Sequence, residues 1–368
     1  MMTPEDMARA IWQAGVDAVG GRAATTAALA DMPRPDRILA VGKAAASMAR
    51  AALDRFGPVP CLVVTKDGHA AELPATVELI EAAHPVPDAR SLAGGRALRQ
   101  AVGAMPEGSR LLLLVSGGAS ALAEDLVEGK TLDDLAALNR AMLAEGLDIT
   151  AMNARRRQIS RIKGGGLLAG FKGARADVLA ISDVPGDDLM VIGSGIGALP
   201  TDPTFRGAAR IIASNAIARQ AAVTKARELG LAIQGEEEAL HDDLFALADR
   251  IGARLCALPA GVLVLGGEPT VVLPPNPGRG GRNQGLALAL AREIAGQEGL
   301  CVVIGGTDGT DGPTEAAGGI VTGQTWGPGA AEALAAADSG SWLERHGALL
   351  TTGPTGTNVM DLLVAVRA

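Results

Sequence analysis

The stretch Arg110-Leu111-Leu112-Leu113-Leu114-Val115-Ser116-Gly117-Gly118-Ala119-Ser120 runs from an unbroken aliphatic segment into a glycine pair flanked by serines. A short apolar run bounded by turn residues has the length of a buried strand. It falls far short of the ~20 apolar residues needed to span a bilayer. Working outward, similar β-like runs occur at Arg37–Val41, Cys61–Thr65, Val77–Glu81 and Val178–Ile181. Between them lie the helical patterns Ala44–Leu53, Ala89–Val102 and Thr131–Glu145. Such alternation means βαβ units around a mainly parallel sheet.

After about Gly230 the pattern resets. A long helical stretch from Glu236 to about Leu258 ends at Pro259, and Val262–Leu265 reads as a strand. A helix near Gln284–Ile294, a strand at Cys301–Ile304 and a last β-like run near Val359–Val364 follow. The fold class is therefore α/β with two α/β domains: residues 1–235 carry a Rossmann-like, mainly parallel sheet, and residues 236–368 form a smaller second domain. No repeat of 20 to 50 residues is visible. The segment Pro274–Arg282 is too rich in proline and glycine for a helix, and reads as an exposed loop ending where the next helix begins.

Composition narrows the function classes. Glycine accounts for 49 of 368 residues, nearly twice the usual ~7%. The glycines fall in pairs and triplets after apolar runs, so they read as turns where backbone approaches a ligand. Aromatics make up only 2% of the chain and tyrosine is absent, so aromatic stacking will not carry binding. A formal charge of −8 argues against a nucleic-acid partner. The acidic, amphipathic start (Thr3, Glu5, Asp6, then Ile11, Trp12, Val16, Val19) reads as a capped helix and not a signal peptide, and the expected compartment is the cytoplasm. Cys61, Cys256 and Cys301 lack metal or redox spacing and are expected as buried, reduced thiols.

The strand-following turns hold the chemistry. Val41-Gly42-Lys43 places an ammonium where a helix N-terminus favours an anion, making Lys43 a catalytic candidate; the bland reading is a surface lysine. Ser116, Gly117, Gly118 and Ser120 form a backbone cradle for phosphate or carboxylate, with a plain structural turn as the alternative. Ser116 as a hydrolase nucleophile is the least favoured alternative, because the G-x-S-x-G elbow is absent. The basic run Arg155-Arg156-Arg157, with Arg161 and Lys163, is either a solvated face or points one or two members inward. Asp183, Asp187 and Asp188 follow another strand, where a carboxylate holds Mg²⁺, accepts a proton, or caps a turn. Glu268 binds substrate or caps its turn, and Arg282, beside Asn283, sits where a guanidinium meets a transferring phosphoryl group. Asp308 and Asp311, in Thr307-Asp308-Gly309-Thr310-Asp311-Gly312-Pro313, offer hard oxygen ligands suited to Mg²⁺.

Two motifs fail. Gly129-Lys130-Thr131 ends like a Walker A loop, but position 124 is Glu where glycine is required. Gly193-Ser194-Gly195-Ile196-Gly197-Ala198 fits G-x-G-x-x-A, yet Pro200 and Pro203 oppose the helix a dinucleotide site needs.

In order along the chain, Val41-Gly42-Lys43-Ala44, His84-Pro85-Val86-Pro87-Asp88, Ser116-Gly117-Gly118-Ala119-Ser120, Ile162-Lys163-Gly164-Gly165, Ser182-Asp183-Val184-Pro185-Gly186-Asp187-Asp188, Gly281-Arg282-Asn283-Gln284, the Thr307–Pro313 turn and Thr352-Gly353-Pro354-Thr355-Gly356-Thr357-Asn358 resemble the class II glycerate kinases. That family pairs a glycerate kinase domain with a C-terminal MOFRL domain. The resemblance covers about residues 5 to 365 and implies ATP-dependent, Mg²⁺-assisted phosphorylation of D-glycerate, usually at the 2-hydroxyl, in a cleft between two domains. It implies Lys43 and Arg282 as catalytic residues. Asp188 is the expected proton acceptor. Ser116, Gly117, Gly118, Ser120, Lys163, Asp183 and Asn358 are expected at the nucleotide, Glu268 and Asn283 at the substrate, and Asp308 and Asp311 at the metal. ATP and D-glycerate are the expected partners, with no nucleic acid and no membrane; a homo-oligomer is left open. Hydroxypyruvate reductase, using NADH or NADPH, is the competing reading. One departure stands out: Ser194-Gly195-Ile196 carries Ile where the family usually has Ser-Gly-Pro.

Overall fold

The computed structural model describes residues 2–70, 73–145 and 149–368. The chain divides into two compact units, one comprising residues 20–214 with 356–358, the other residues 1–19, 215–355 and 359–368.

The first unit is built on six strands: β1 (Arg37–Val41), β2 (Cys61–Lys66), β3 (Glu78–Ala82), β4 (Arg110–Val115), β5 (Arg175–Ile181) and β6 (Arg206–Ala213). They lie in the order β3-β2-β1-β4-β5-β6, and every neighbouring pair is parallel. This is the doubly wound arrangement, with its reversal of strand order between β1 and β4. Leu39, Val41, Leu111, Leu113 and Val115 share one core with Leu98 and Val102 of the helix Ala89–Gly103. The helix Ala45–Phe56 packs on β1 and β2. Asp88 caps the helix Ala89–Gly103 by accepting from the Arg90 and Ser91 amides. The strand and helix expectations for this unit hold to within a few residues. The edge strand β6 was not expected, because Arg206, Gly207 and Arg210 break its apolar pattern.

The second unit contains β7 (Ile233–Glu238), β8 (Gly261–Gly267), β9 (Leu300–Gly306), β10 (Gly318–Thr322), β11 (Leu349–Leu350) and β12 (Asp361–Arg367), in the order β11-β10-β9-β12-β8-β7. Only the β7–β8 pair is parallel; the other four pairs are antiparallel. Side chains alternate between the two faces, as the two-residue strand period requires. Leu263, Leu265, Val302, Ile304 and Leu363 enter a core covered by the helices Leu244–Cys256 and Arg282–Glu293. Val262, Val264, Val303, Leu362 and Val364 enter the opposite one. The N-terminal helix Pro4–Ala18 covers that opposite face with Ile11, Trp12 and Val16, and Trp12 Nε1 donates to the Leu362 carbonyl at 2.9 Å.

The compact units are drawn differently from the two sequence domains: residues 1–19, the helix Asn215–Glu228 and β7 pack with the second sheet, because their apolar faces complete its core. Two expectations are corrected here. Glu236 does not begin a helix. Glu236, Glu237 and Glu238 lie in β7, where Arg219 pairs with Glu236 and Glu238 and Arg254 with Glu237. Cys61 and Cys301 are buried, and burial pushes both thiols up to about 12, but Cys256 is exposed.

Candidate active site

At the reversal point of the parallel sheet, the turns after β1 and β4 are laced together. Ser116 N donates to Val41 O (2.9 Å), Ala44 N to Ser116 Oγ (3.0 Å), and Lys43 N to Gly117 O (2.9 Å). Ser116 is thus fully buried and serves as a tie between turns, while Lys43 remains half-buried. Gly117 is needed for a close approach: a Cβ there would lie 2.2 Å from Asp183 Oδ2 and 2.7 Å from Asn358 Nδ2. At Gly118, with φ +80°, the nearest atoms to a Cβ would be those of His84 and Lys43, at 3.2 Å. Five expected residues, Lys43, Gly117, Gly118, Asp183 and Asn358, therefore meet at the carboxyl ends of β1, β4 and β5, where ligands bind in open α/β sheets.

Two expected residues are drawn into buried networks. Ser120 Oγ lies 2.7 Å from Ser194 Oγ, which donates to Asn153 Oδ1 at 2.8 Å. Ser194 holds a left-handed φ of 59°, and among the described residues the buried Asn153 Nδ2 has no hydrogen-bond partner. Lys163 Nζ lies 2.6 Å from Glu124 Oε2, both side chains all but sealed from solvent. Burial lowers the Lys163 ammonium from its ordinary value, and Glu124 opposes that shift. Glu124 also accepts from Ser160 Oγ and Asp125 N. Sequence reasoning missed Glu124 because its partner lies 39 positions away. Position 124, where the Walker A pattern demands glycine, is occupied by the counter-ion of Lys163.

Asp188 stands apart from this constellation. It is exposed and accepts from Met190 N at 2.8 Å within its own turn, whereas Asp183 faces Gly117 and Asn358. The turn-capping alternative describes Asp188. The segment after Ala198 is not helical, in keeping with Pro200 and Pro203.

In the second unit, Arg282 opens the helix Arg282–Glu293. Its Nε donates to Asp361 Oδ2 (2.8 Å), its Nη2 to Asp361 Oδ1 (3.3 Å), and its Nη1 lies 2.7 Å from Glu268 Oε1. Burial alone would lower the guanidinium's pKa, but Asp361 and Glu268 raise it. A guanidinium carries five N–H groups, more than these contacts occupy. Asp361 was not anticipated, since it is the first residue of an apolar strand with no turn signature of its own. Asn283 is buried, and its amide favours the charged form of Asp361, Arg282's partner, against the upward push of burial.

Asp308 and Asp311 point to different tasks. Asp308 Oδ1 accepts from Thr310 N and Oγ1, both at 3.0 Å, closing a local turn. Asp311 accepts from Asn283 N (3.1 Å) and Gln284 N (2.8 Å), capping the helix that Arg282 opens. Its burial raises the carboxyl to about 7. Asp311 is thus a helix cap and Asp308 closes its own turn, each carboxylate keeping lone pairs beyond these bonds. Among the described residues, no group of three His, Cys, Asp or Glu is placed to hold a metal.

Comparison with known proteins identifies the family. A family profile described as a domain of unknown function (DUF4147) matches residues 7–228, and one described as the MOFRL family matches residues 261–361. The chain is 36% identical to a glycerate 2-kinase of Pyrococcus horikoshii, covering 89% of this chain and 86% of that protein. It is 34% identical to a putative hydroxypyruvate reductase of Agrobacterium vitis, over 96% and 92% of the two chains. The crystal structure of a glycerate kinase (EC 2.7.1.31) from Thermotoga maritima superposes with a TM-score of 0.90 at 32% identity, covering 99% of each chain. The chain belongs to the glycerate 2-kinase family, in which a DUF4147 domain is joined to a MOFRL domain.

Proposed function

We propose that the protein transfers the γ-phosphoryl group of ATP to the 2-hydroxyl of D-glycerate, in the cytoplasm. The observation that carries this reading is the meeting of Lys43, Gly117, Gly118 and Asp183 at the reversal point of a parallel sheet, in a chain resembling glycerate 2-kinases along nearly its whole length. Phosphoryl transfer rests on positioning and charge neutralisation. Lys43 supplies the ammonium for the phosphates, and the side-chain-free positions 117 and 118 let backbone approach them. Proton acceptance from the substrate hydroxyl passes in this reading from Asp188 to Asp183, because a base must first be within reach. Arg282 offers a planar fork, preset by Asp361, to the glycerate carboxylate or the transferring group. Mg²⁺ accompanies ATP and neutralises its phosphate charge; no step is assigned to a protein-held ion.

A reductase needs a dinucleotide site. The first βα turn carries Gly42-Lys43-Ala44 in place of G-x-G-x-x-G, and the second G-x-G-x-x-A stretch opens no helix. The test supplies the protein with ATP, Mg²⁺ and D-glycerate in an ADP-coupled assay, with phosphorus NMR of the product. Glycerate-dependent ADP release and 2-phosphoglycerate are expected. NADH oxidation with hydroxypyruvate, without ADP release from glycerate, would overturn the reading.

A further inference from the structure

Beside the strand ends, the first unit carries two adjoining cavities of about 380 and 200 Å³ that share Pro85, Pro87, Leu135, Asn139 and Arg156. The larger is a slot. One wall is Pro85-Val86-Pro87, entered through the cis peptide His84–Pro85; the other is Leu132, Leu135 and Ala136 of the helix Leu132–Ala144. The smaller cavity is polar and apolar in about equal parts and reaches the cradle through Gly118 and Ser120, with His84 and Lys163 on its lining. Of the slot residues, Arg156 belongs to the basic run whose sequence reads either as a solvated face or as pointing one or two members inward.

The two cavities differ as the two ends of a nucleotide differ. The slot is mainly apolar, with Asn139, Arg140 and Arg156 as its polar lining, and has the size of small-molecule sites, which range over about 300–1,000 Å³. Val86 remains 69% exposed at its mouth, an apolar side chain with nothing packed over it. With no aromatic on either wall, a planar ring would be sandwiched between proline rings and leucine methyls. Asn139 lines the slot with an amide, a side-chain type that recognises adenine by a two-point hydrogen bond. Its Oδ1 accepts from Arg156 Nε at 3.3 Å, which holds the guanidinium where slot and smaller cavity meet. Glu124 already compensates the Lys163 charge, so Arg156 supplies the net positive charge at the junction.

We propose that the slot takes the adenine ring of ATP, with Arg156 at the first phosphates and the Gly118–Ser120 cavity leading them to Lys43. The proposal rests on the kinase reading for its ligand, but its failure can be told apart from the failure of that reading. Two substitutions probe the slot in the full-length protein. Ala136→Trp fills it from the helix side, and Val86→Glu places a carboxylate at its exposed mouth, where folding is insensitive to side-chain identity. ADP affinity is measured by calorimetry, and KM for ATP and for glycerate by steady-state kinetics. Each substitution is expected to weaken ADP binding and raise KM for ATP by about tenfold or more while KM for glycerate changes less than about threefold. Asn139→Leu is expected to erase a preference for ATP over GTP. ATP and ADP parameters within about twofold of the parent in both slot variants would overturn the proposal. ADP binding that responds to the slot variants, in a protein that does not phosphorylate glycerate, would instead remove the kinase reading and leave the nucleotide slot standing.

Discussion

Asp361 grips Arg282 with both oxygens, taking Nε at 2.8 Å and Nη2 at 3.3 Å, while itself fully buried. Two parallel N–H···O bonds fix the plane of a guanidinium, and a lysine cannot reproduce them. Arg282→Ala is expected to lower kcat on the order of 10³-fold, by analogy with transition-state arginines, with Arg282→Lys recovering little. Because the same change strands a buried carboxylate, thermal stability is recorded alongside. A kcat loss under about tenfold in a folded variant would remove Arg282 from the chemistry.

Gly117→Ala tests the crowding at the strand ends. The added methyl would sit 2.2 Å from Asp183 Oδ2, so either the carboxylate or the turn must move. Overpacking of this kind costs about 1–3 kcal/mol. The expected outcome is a modest loss in urea stability with at least an about tenfold loss in kcat/KM. Unaltered kinetics would place the ligand elsewhere.

Asp311 gives a pH dependence of defined sign. Its carboxyl is raised from 3.8 to about 7 by burial, so between those values the folded state keeps a proton that the unfolded chain has lost. Its contribution is fully present below about pH 4 and is lost as pH climbs to about 7, a change of roughly 4 kcal/mol at most. Unfolding of Asp311→Asn and the parent is compared across this range. The stability difference, parent minus variant, should fall as pH rises; a flat difference would contradict the burial of an ionisable group there.

The Lys163–Glu124 pair is expected to be strongly coupled. Removing one partner leaves a buried charge, which costs about 3–5 kcal/mol. Glu124→Gln and Lys163→Met should each destabilise by roughly that amount, whereas the double variant should lose much less than their sum. Additive losses in the denaturation cycle would show the pair to be energetically independent.

Much of the fold was legible because aliphatic runs report their own burial. Arg110–Val115 and Arg37–Val41 were read with the bounds they have in the structure, since a strand covered on both faces needs no long-range information to be recognised. β7 was misread for the converse reason. Its three glutamates resemble a solvated helix until Arg219 and Arg254 are brought beside them. The same limit governed the site. Glycine turns were found by type, but Asp361 and Glu124 carry no local signature, because each acts on a residue 79 or 39 positions away.

Local residue patterns were enough to read an α/β chain with glycine turns after apolar strands, and to single out Lys43, Gly117, Gly118 and Arg282 as candidates for chemistry. Tertiary structure alone decided the strand order that brings the β1 and β4 turns together, the pairing of the N-terminal helix with the second sheet, and the diversion of Asp311 to a helix cap. The physical reason is range. Hydrophobic periodicity is written into neighbouring residues, whereas a charge or a carboxylate takes its role from whichever donor the folded chain sets against it.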